Sequence, residues 1–299
     1  MRWLITGAGG ALGHDLRAAL PDATAVTRAD LDITDAEAVR AAVTGHDVVV
    51  NTAAYTAVDN AESDETEAIR INGHGPALLA DACAAAGAVL LQVSTDYVLP
   101  GDATSPCPED AATDPVNAYG RSKLAGERAV LDRLPDAGYV VRTAWLYGET
   151  GTNFVATMLK LAAARPTVSV VDDQHGQPTW TAALAEQLVA LGRAAREGRA
   201  APGVYHGTAS GQTTWHGLTQ AIYRLAGLDP ERVATTTSDA FPRPAKRPAY
   251  SVLGHGRWAA AGIEPQPHWH DQLEAALRRP AFVRLVEDAR AATHAGASP

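Results

Sequence analysis

The N-terminal segment constrains the fold more than any other part of the chain. A short apolar run, residues 2–6, stops at a glycine-rich turn of residues 7–13, and a helical pattern covers residues 11–20. Gly7, Gly10 and Gly13 recur at every third position of that turn. Residues without a Cβ atom permit a tight turn and let backbone N–H groups approach a pyrophosphate at the positive end of the helix. Strand, glycine turn and helix in this order therefore predict a parallel α/β sheet that binds a dinucleotide.

Strands and helices alternate through the first half of the chain. Further strands are predicted over residues 23–27, 47–51, 89–93 and 139–143. This alternation indicates an α/β fold with a doubly wound, Rossmann-like parallel sheet. We expect residues 1–150 to form the dinucleotide-binding domain, with a helix near residues 181–192 returning to its sheet. Residues 151–299 are expected to form mainly a smaller α+β lobe that binds substrate and includes a strand at residues 203–206.

Composition excludes several classes of protein. Of the 299 residues, 46% are apolar and 20% are charged, which is typical of a folded globular protein. A net charge of -9 argues against nucleic acid as the main partner, since phosphates attract basic surfaces. No apolar run reaches the roughly 20 residues of a membrane span, and Cys83 and Cys107 fit no disulfide or metal pattern, so we expect a cytoplasmic protein. No metal site is predicted either, because His268 and His270 lack a nearby carboxylate or cysteine cluster.

Tyr119 and Lys123 form a second informative feature, four residues apart in a predicted helix. Residues at this spacing share one helix face. An ammonium group beside a phenol favours the phenolate, so Lys123 is expected to lower the pKa of Tyr119 below its ordinary value of about 10. Such a pair suits proton transfer to or from a carbonyl or alcohol oxygen. The alternative is an exposed helix that carries Tyr and Lys at this spacing by chance.

The carboxyl ends of the predicted strands gather the other polar candidates. Ligands of doubly wound sheets bind at this edge. A hydroxyl of Ser94 or Thr95 would then face the helix that carries Tyr119, and this convergence favours a site over chance spacing. The segments at this edge are residues 7–13, 27–28, 51–56, 94–97 and 144–147.

Several sequence blocks, taken in order, are similar to one known family. They are GAGGALG at residues 7–13, NTAAYTAVD at 51–59, STDYV at 94–98, YGRSKLAGE at 119–127, RTAWLYG at 142–148, Asn153-Phe154, Asp173-Gln174 with residues 176–179, and Arg247-Pro248 before Ser251. Over nearly its whole length the chain resembles the extended short-chain dehydrogenase/reductases and, within them, the dTDP-4-dehydrorhamnose reductases. The resemblance implies hydride transfer from a reduced nicotinamide cofactor to the C4 carbonyl of a nucleotide-linked 4-keto-6-deoxy sugar.

The resemblance also implies roles for individual residues. The expected catalytic residues are Tyr119, which would protonate the new alkoxide, Lys123, which would bind the nicotinamide ribose, and Thr95, which would hydrogen-bond the substrate oxygen. Expected cofactor contacts are Gly7, Gly10, Ala11, Leu12, Gly13, Arg28, Asp32, Ile33, Asn51, Ala53, Ala54, Tyr55, Thr56, Asn72, Ser94, Tyr119 and Lys123. Expected substrate contacts are Thr56, Val58, Thr95, Tyr97, Tyr119, Trp145, Asn153, Gln177 and Arg247.

The choice of cofactor depends on the end of the second strand. An NAD-dependent enzyme places an acid there to bind the ribose 2′-OH, whereas this chain has Thr27-Arg28. An arginine suits a 2′-phosphate, so NADPH is favoured. NADH stays open, since Arg28 could equally be a solvated surface charge.

Departures from the family pattern leave alternatives open. Leu99, Pro100 and Gly101 replace the usual Phe and Asp-Gly turn, and we expect them beside the sugar, where they put its identity in question. A sister ketoreductase that makes another deoxysugar, such as dTDP-dihydrostreptose, is therefore one alternative. Another is a non-catalytic dinucleotide-binding subunit, since the regulatory subunit of methionine adenosyltransferase resembles this family. The expected partner is a dTDP-sugar, without nucleic acid or membrane, and a homodimer stays open.

Overall fold

Six parallel strands form the central sheet of the computed structural model, which describes residues 1–295. The strands are β1 (Trp3–Thr6), β2 (Thr24–Val26), β3 (Val48–Asn51), β4 (Val89–Thr95), β5 (Gly138–Thr143) and β10 (Gly203–His206). They lie in the order β10-β5-β4-β3-β1-β2, and each neighbouring pair is parallel. The winding reverses between β1 and β3, so the sheet is doubly wound and the predicted fold class is confirmed.

Helices cover both faces of the sheet, because successive strand residues point to opposite sides. Ile5 and Val50 pack on one face, whereas Leu4 and Val49 pack on the other. The first face carries α1 (Ala11–Ala19) and α8 (Thr181–Arg196), and the second carries α2 (Ala36–Val43), α5 (Gly75–Ala86) and α6 (Ala118–Arg133). The helix predicted to return to the sheet is therefore α8.

The connection from β3 to α5 is broken into short pieces. It consists of α3 (Val58–Ala61), α4 (Glu65–Ile69) and a π-helical segment, Arg70–His74. Asn72 in this segment accepts a hydrogen bond from the backbone N–H of Tyr55 at 2.8 Å and donates to the hydroxyl of Ser122 at 2.9 Å. π-helical turns often occur near functional sites. Here the buried amide ties the loop after β3 to α6.

The smaller lobe combines four two-stranded pairings with four helices. Its core includes Leu159, Ile222, Leu273 and Phe282. The pairings join β6 (Leu146–Tyr147) to β9 (Thr179–Trp180), β7 (Val168–Val171) to β13 (Val233–Thr236), β8 (His175–Gly176) to β12 (Thr213–Thr214), and β11 (Ala209–Ser210) to β14 (Gln266–His268). The helices are α7 (Phe154–Ala164), α9 (Trp215–Leu225), α10 (Trp269–Leu277) and α11 (Pro280–Ala295).

The prediction that residues 203–206 belong to the smaller lobe is wrong. These residues form β10, which pairs with β5 at the edge of the central sheet, and Tyr205 packs against Trp258 in the core of the first face. The physical reason is connectivity, since α8 crosses that face and the chain then returns to the sheet as a parallel strand. The division near residue 150 stays a prediction. Within residues 1–295, no helix has both the length and the apolar character that crossing a membrane requires.

Candidate active site

The glycine turn leaves the N-terminus of α1 open. Gly7 adopts a φ of 72°, and a Cβ atom there would lie 2.5 Å from the amide nitrogen of Ala53. A Cβ atom at Gly13 would lie 2.5 Å from the carbonyl oxygen of Gly7, so this glycine lets the helix pack close to the turn. The N-cap residue, Gly10, has no side chain to occupy the first N–H groups of the helix. These groups, at the positive end of the helix dipole, suit a phosphate oxygen.

A cavity of about 310 Å³, the turn cavity, lies beside this helix end. The loops after β1, β2 and β3 line it, at the edge of the sheet where the winding reverses. Asp32 accepts hydrogen bonds from the backbone N–H and hydroxyl of Thr34, which lower the pKa of its carboxyl, and Arg28 lies at the exposed rim. The lining residues are Gly7, Gly9, Gly10, Arg28, Leu31, Asp32, Ile33, Thr52, Ala53, Ala54, Thr56, Arg70 and Ile71.

A second cavity of about 440 Å³, the central cavity, continues from the turn cavity. The two share Gly10, Thr52, Ala54 and Thr56. The structure thus brings the glycine turn, the end of β4 and the helix of Tyr119 to one place. Of the predicted site residues, the central cavity is lined by Gly10, Ala11, Leu12, Gly13, Ala54, Thr56, Val58, Ser94, Thr95, Tyr97, Tyr119, Lys123 and Trp145.

Glycines and a capping residue hold α6 against the sheet. Asn117 is the N-cap, and its Oδ1 accepts a hydrogen bond from the backbone N–H of Gly120 at 2.8 Å. A Cβ atom at Gly120 would collide with the carbonyl oxygen of Tyr97, and one at Gly126 would collide with that of Asn72. The close approach that glycine permits places Tyr119 and Lys123 beside the carboxyl end of β4.

The electrostatics of this pair differ from the sequence-based expectation. Lys123 is 4% exposed and its Nζ donates to the carbonyl oxygen of Val93 at 2.7 Å, while burial lowers its pKa to about 8 against the opposing charge of Glu127. Burial and then the carboxyl of Asp96 raise the pKa of Tyr119 above its ordinary value. The expectation that Lys123 lowers the pKa of Tyr119 is therefore wrong for this arrangement, since burial dominates. A raised pKa keeps the phenol protonated at neutral pH, as a proton donor requires.

Asp96 is a candidate that the sequence reasoning missed. It lines the central cavity and is 2% exposed, and its Oδ1 accepts a hydrogen bond from the hydroxyl of Thr95 at 3.0 Å. Burial raises its pKa to about 6, and the nearby hydroxyls of Ser251 and Thr95 oppose this shift. Its Oδ2, and the hydroxyls of Ser94 and Thr143 in the same cavity, have no hydrogen-bond partner within the described chain. Such unsatisfied groups fit a polar ligand, and the position of Asp96 at a strand end could have identified it.

Trp145 has an unusual backbone and an aromatic partner from the lobe. Within residues 1–295 it is the only non-glycine residue with a positive φ, at 47°. This region costs a bulky residue about 1 to 3 kcal/mol and is found mostly at functional sites. Its indole stacks on that of Trp215 in α9, with ring centroids 3.6 Å apart and planes 9° from parallel. No sequence pattern pointed to Trp215, because only the folding of the lobe brings it to the central cavity.

A third cavity of about 620 Å³, the lobe cavity, carries positive charge. Arg243, Lys246 and Arg247 line it against a single acidic residue, Asp239, and Arg247 forms an ion pair with Asp59 at 3.0 Å. Its other walls are largely apolar and aromatic, with Phe154, Met158, Val170, Val171, Trp215 and Phe241. Basic side chains beside an apolar wall suit a ligand that joins phosphate to a planar ring.

Comparison with known proteins identifies the family. The family model of the RmlD substrate binding domain matches residues 1–281. The chain belongs to this family. A dTDP-4-dehydrorhamnose reductase of Streptomyces griseus is 58% identical over 278 residues, which cover 91% of this chain and 91% of that protein. The predicted resemblance to the dTDP-4-dehydrorhamnose reductases is confirmed.

Two further relatives of this RmlD family member bear on its chemistry. A dTDP-4-keto-6-deoxy-D-glucose reductase of Streptomyces niveus is 50% identical over 282 residues, covering 92% of this chain and 96% of that protein. The crystal structure of dTDP-4-dehydrorhamnose reductase from Bacillus anthracis str. Ames in complex with NADP is 34% identical, with a TM-score of 0.86. That match covers 92% of this chain and 98% of the other.

Three residues predicted to contact the cofactor support the loops around the cavities. Asn51 is buried, accepts from the hydroxyl of Thr6 at 2.5 Å and donates to Gln92 at 2.7 Å, which fixes the end of β3. Tyr55 packs in the cluster that contains Tyr119, and its backbone is held by Asn72. Asn51, Tyr55 and Asn72 do not appear in the lining of the turn or central cavity. They shape the loops that do, and a direct cofactor contact by these three residues stays a prediction.

Two predicted substrate contacts also have structural roles. Asn153 caps α7, accepting from the backbone N–H of Ala156 at 2.9 Å. Gln177 is 2% exposed, and its amide makes four hydrogen bonds, to Ala209, Thr208 and both backbone groups of Leu253. Neither residue reaches the described cavities, because its polar atoms are engaged elsewhere.

Leu99, one of the departures from the family pattern, lies in the core and not beside the sugar. Leu99 is buried with Val98, Leu124 and Leu253, so its expected position next to the substrate is wrong. Leu99 follows the 3₁₀ turn Asp96–Val98, and its apolar side chain packs against these neighbours. Within residues 1–295, no cluster of three or more His, Cys, Asp or Glu side chains could hold a metal ion.

Proposed function

We propose that this protein reduces the C4 ketone of a dTDP-4-keto-6-deoxy sugar with NADPH, in a reaction of the type that converts dTDP-4-dehydrorhamnose to dTDP-L-rhamnose. The observation that carries the proposal is the convergence of Thr95, Tyr119 and Lys123 on a cavity continuous with the glycine turn. A proton donor beside a dinucleotide site is what carbonyl reduction requires. The names of the relatives support the substrate class.

Each polar side chain of the central cavity has a separate role in the reaction. Bound NADPH supplies the hydride. Tyr119 donates its phenolic proton to the C4 oxygen, and its raised pKa keeps that proton in place until the oxygen becomes basic. The hydroxyl of Thr95, which here donates its one proton to Asp96, orients the same oxygen by turning that proton towards the substrate. Lys123 would bind the nicotinamide ribose and would add positive charge where negative charge develops.

The residues around the turn cavity fit a phosphorylated dinucleotide. The N–H groups that open α1 would hold the pyrophosphate, and Arg28 at the rim would pair with a 2′-phosphate. The NADP bound to the Bacillus anthracis relative supports this preference. NADH, which lacks the 2′-phosphate, is the weaker cofactor in this proposal.

The lobe cavity is where we place the nucleotide part of the substrate. Arg243, Lys246 and Arg247 provide charge for a diphosphate, and the apolar wall accepts a base. Tyr97 lines both this cavity and the central one, so a ligand can reach from the basic side chains to Tyr119. A nucleotide-linked sugar has this extended shape.

The identity of the sugar leaves a second candidate within the same chemistry. The Streptomyces niveus relative, at 50% identity, is named for a 4-keto-6-deoxy-D-glucose substrate, whereas the Streptomyces griseus relative is named for dehydrorhamnose. A sister ketoreductase for another deoxysugar therefore stays a specific alternative. Comparing kcat/KM across a panel of dTDP-4-keto-6-deoxy sugars separates the two.

The test of the proposal is oxidation of NADPH in the presence of dTDP-4-keto-6-deoxy-L-mannose, followed by cofactor absorbance. We expect turnover by the unsubstituted protein and NADPH preferred over NADH. If none of the 4-keto sugars in the panel is reduced while NADPH still binds, the non-catalytic alternative replaces this proposal. Cytoplasmic location and a homodimer belong to the proposal as well, the latter tested by light scattering.

A further inference from the structure

Trp215 lies where the two substrate cavities meet. Among the residues that the structure describes, only Tyr97 and Trp215 line both the central cavity and the lobe cavity. A ligand that occupies both cavities at once must therefore pass these two aromatic side chains. We name them the neck.

The indole of Trp215 is held in place by its surroundings. Its Nε1 donates to Oε1 of Gln174 at 3.1 Å, and Gln174 in turn donates to the hydroxyl of Ser238 at 2.8 Å. Phe154 packs against the same indole with ring centroids 4.4 Å apart. A side chain anchored at both its edge and its ring makes a wall of defined position.

Trp215 in turn fixes Trp145. The two indoles stack almost in parallel at 3.6 Å, and a Cβ atom on Gly176 would lie 2.5 Å from Cε2 of Trp145. Since Trp215 covers one face of this indole at stacking distance, Gly176 lies against the other. Trp145 is thereby clamped between the lobe helix and a glycine. Only its edge is left for the central cavity, and the clamp offsets the cost of its positive φ.

We propose that Trp215 is a positioning and selectivity residue, which clamps Trp145 and, with Tyr97, forms the neck across which a nucleotide sugar spans the two cavities. The identity of this ligand rests on the proposed function, whereas the clamp does not. The neck registers the sugar against Tyr119 in the central cavity and the diphosphate and base against Arg247 and its basic neighbours in the lobe cavity. Its effect is on binding and register, so it should act on KM far more than on kcat.

The test combines a spectroscopic and a kinetic measurement on the full chain. Two indoles in van der Waals contact couple excitonically, and a twist between their transition dipoles gives a couplet in circular dichroism. We expect Trp215→Ala to abolish the couplet, to raise KM for the nucleotide sugar and the dissociation constant of dTDP at least about tenfold, and to lower kcat less than about threefold. Trp215→Phe keeps an aromatic ring on Trp145 and should recover most of the affinity. Trp180→Phe, which removes an indole outside both cavities, is the matched control and should leave the couplet and both constants unchanged.

Several results would overturn the proposal. If Trp215→Ala left KM and the dTDP affinity within about twofold, or if kcat alone fell, Trp215 would not position the substrate. Should the Ala variant fail to fold, Gln174→Leu removes the anchor of the indole. It should weaken both the couplet and dTDP binding, and unchanged values would contradict the proposal. Failure of the proposed function is distinguishable from failure of this proposal. If the unsubstituted protein binds dTDP but reduces no keto sugar, it should still show the couplet, and Trp215→Ala should still abolish it.

Discussion

Replacing Asp96 by Asn should change how the stability of the protein depends on pH. Burial at the end of β4 raises the pKa of this carboxyl from 3.8 to about 6. The folded state therefore holds the proton more strongly than the unfolded chain does. A raised pKa of this kind contributes stability that is complete below the unfolded pKa and is lost as the pH rises through the folded pKa. A shift of about 2 units corresponds to about 3 kcal/mol lost by about pH 8.

The Asn variant lacks this titration but keeps an oxygen that can accept the hydrogen bond from Thr95. The free energy of unfolding of the variant minus that of the unsubstituted protein should increase by about 2 kcal/mol between about pH 4.5 and about pH 8. Urea unfolding across this range measures it, with exposed Asp110→Asn as the matched control. A difference that stays flat, or shrinks as the pH rises, would refute the reasoning. The same variant should lower kcat/KM at least about tenfold, because the hydroxyl of Thr95 loses a charged partner.

Three further predictions concern other parts of the site. Lys123→Ala should reduce turnover at least about a hundredfold and also weaken NADPH binding, measured by fluorescence titration, and an unaltered affinity would contradict its role at the ribose. Arg28→Ala should raise KM for NADPH about tenfold or more and leave KM for NADH unchanged, and equal losses for both cofactors would argue against a 2′-phosphate contact. Gln177→Ala should lower the free energy of unfolding by about 2 to 4 kcal/mol, measured in urea, because it leaves buried backbone groups of Leu253 unpaired. Its KM should stay within about twofold, and a large rise in KM would restore Gln177 as a substrate contact.

Local patterns along the chain were enough to predict the fold class. The apolar run before Gly7, the glycine turn and the repeated strands each depend on residues close in sequence, and the doubly wound sheet follows from their order. The strand at Gly203–His206 was assigned to the wrong unit because pairing with β5 is a long-range contact that no local pattern encodes. The sequence predicts that these residues form a strand, but it does not predict which strand they pair with.

The candidate site was predictable where it follows strand ends and less so where tertiary packing decides. Thr95, Tyr119 and Lys123 meet in one cavity as predicted from the strand-end rule and helix spacing. The family resemblance implies ligand contacts for Gln177 and Asn51, yet the side-chain amide of each is hydrogen-bonded to buried neighbours. Residue type alone cannot tell a satisfied amide from an available one.

Trp215 and the direction of the pKa shifts also required the structure. Trp215 reaches the central cavity only because the lobe folds over it, and its helix carries no local signal of function. The spacing of Tyr119 and Lys123 suggested a lowered phenol pKa, but burial and Asp96 raise it. Burial is a property of the whole fold, so the spacing of charges in the sequence cannot give the direction of a pKa shift that burial dominates.

The central claim is that Tyr119 protonates the C4 oxygen as hydride arrives from NADPH. The most direct measurement uses NADPH deuterated at the transferable position with dTDP-4-keto-6-deoxy-L-mannose, and locates the label in the product by NMR. We expect deuterium at C4 with the unsubstituted protein, and a rate at least about a hundredfold lower with Tyr119→Phe while NADPH affinity is retained. Label at another carbon, or an undiminished rate in Tyr119→Phe, would contradict the account.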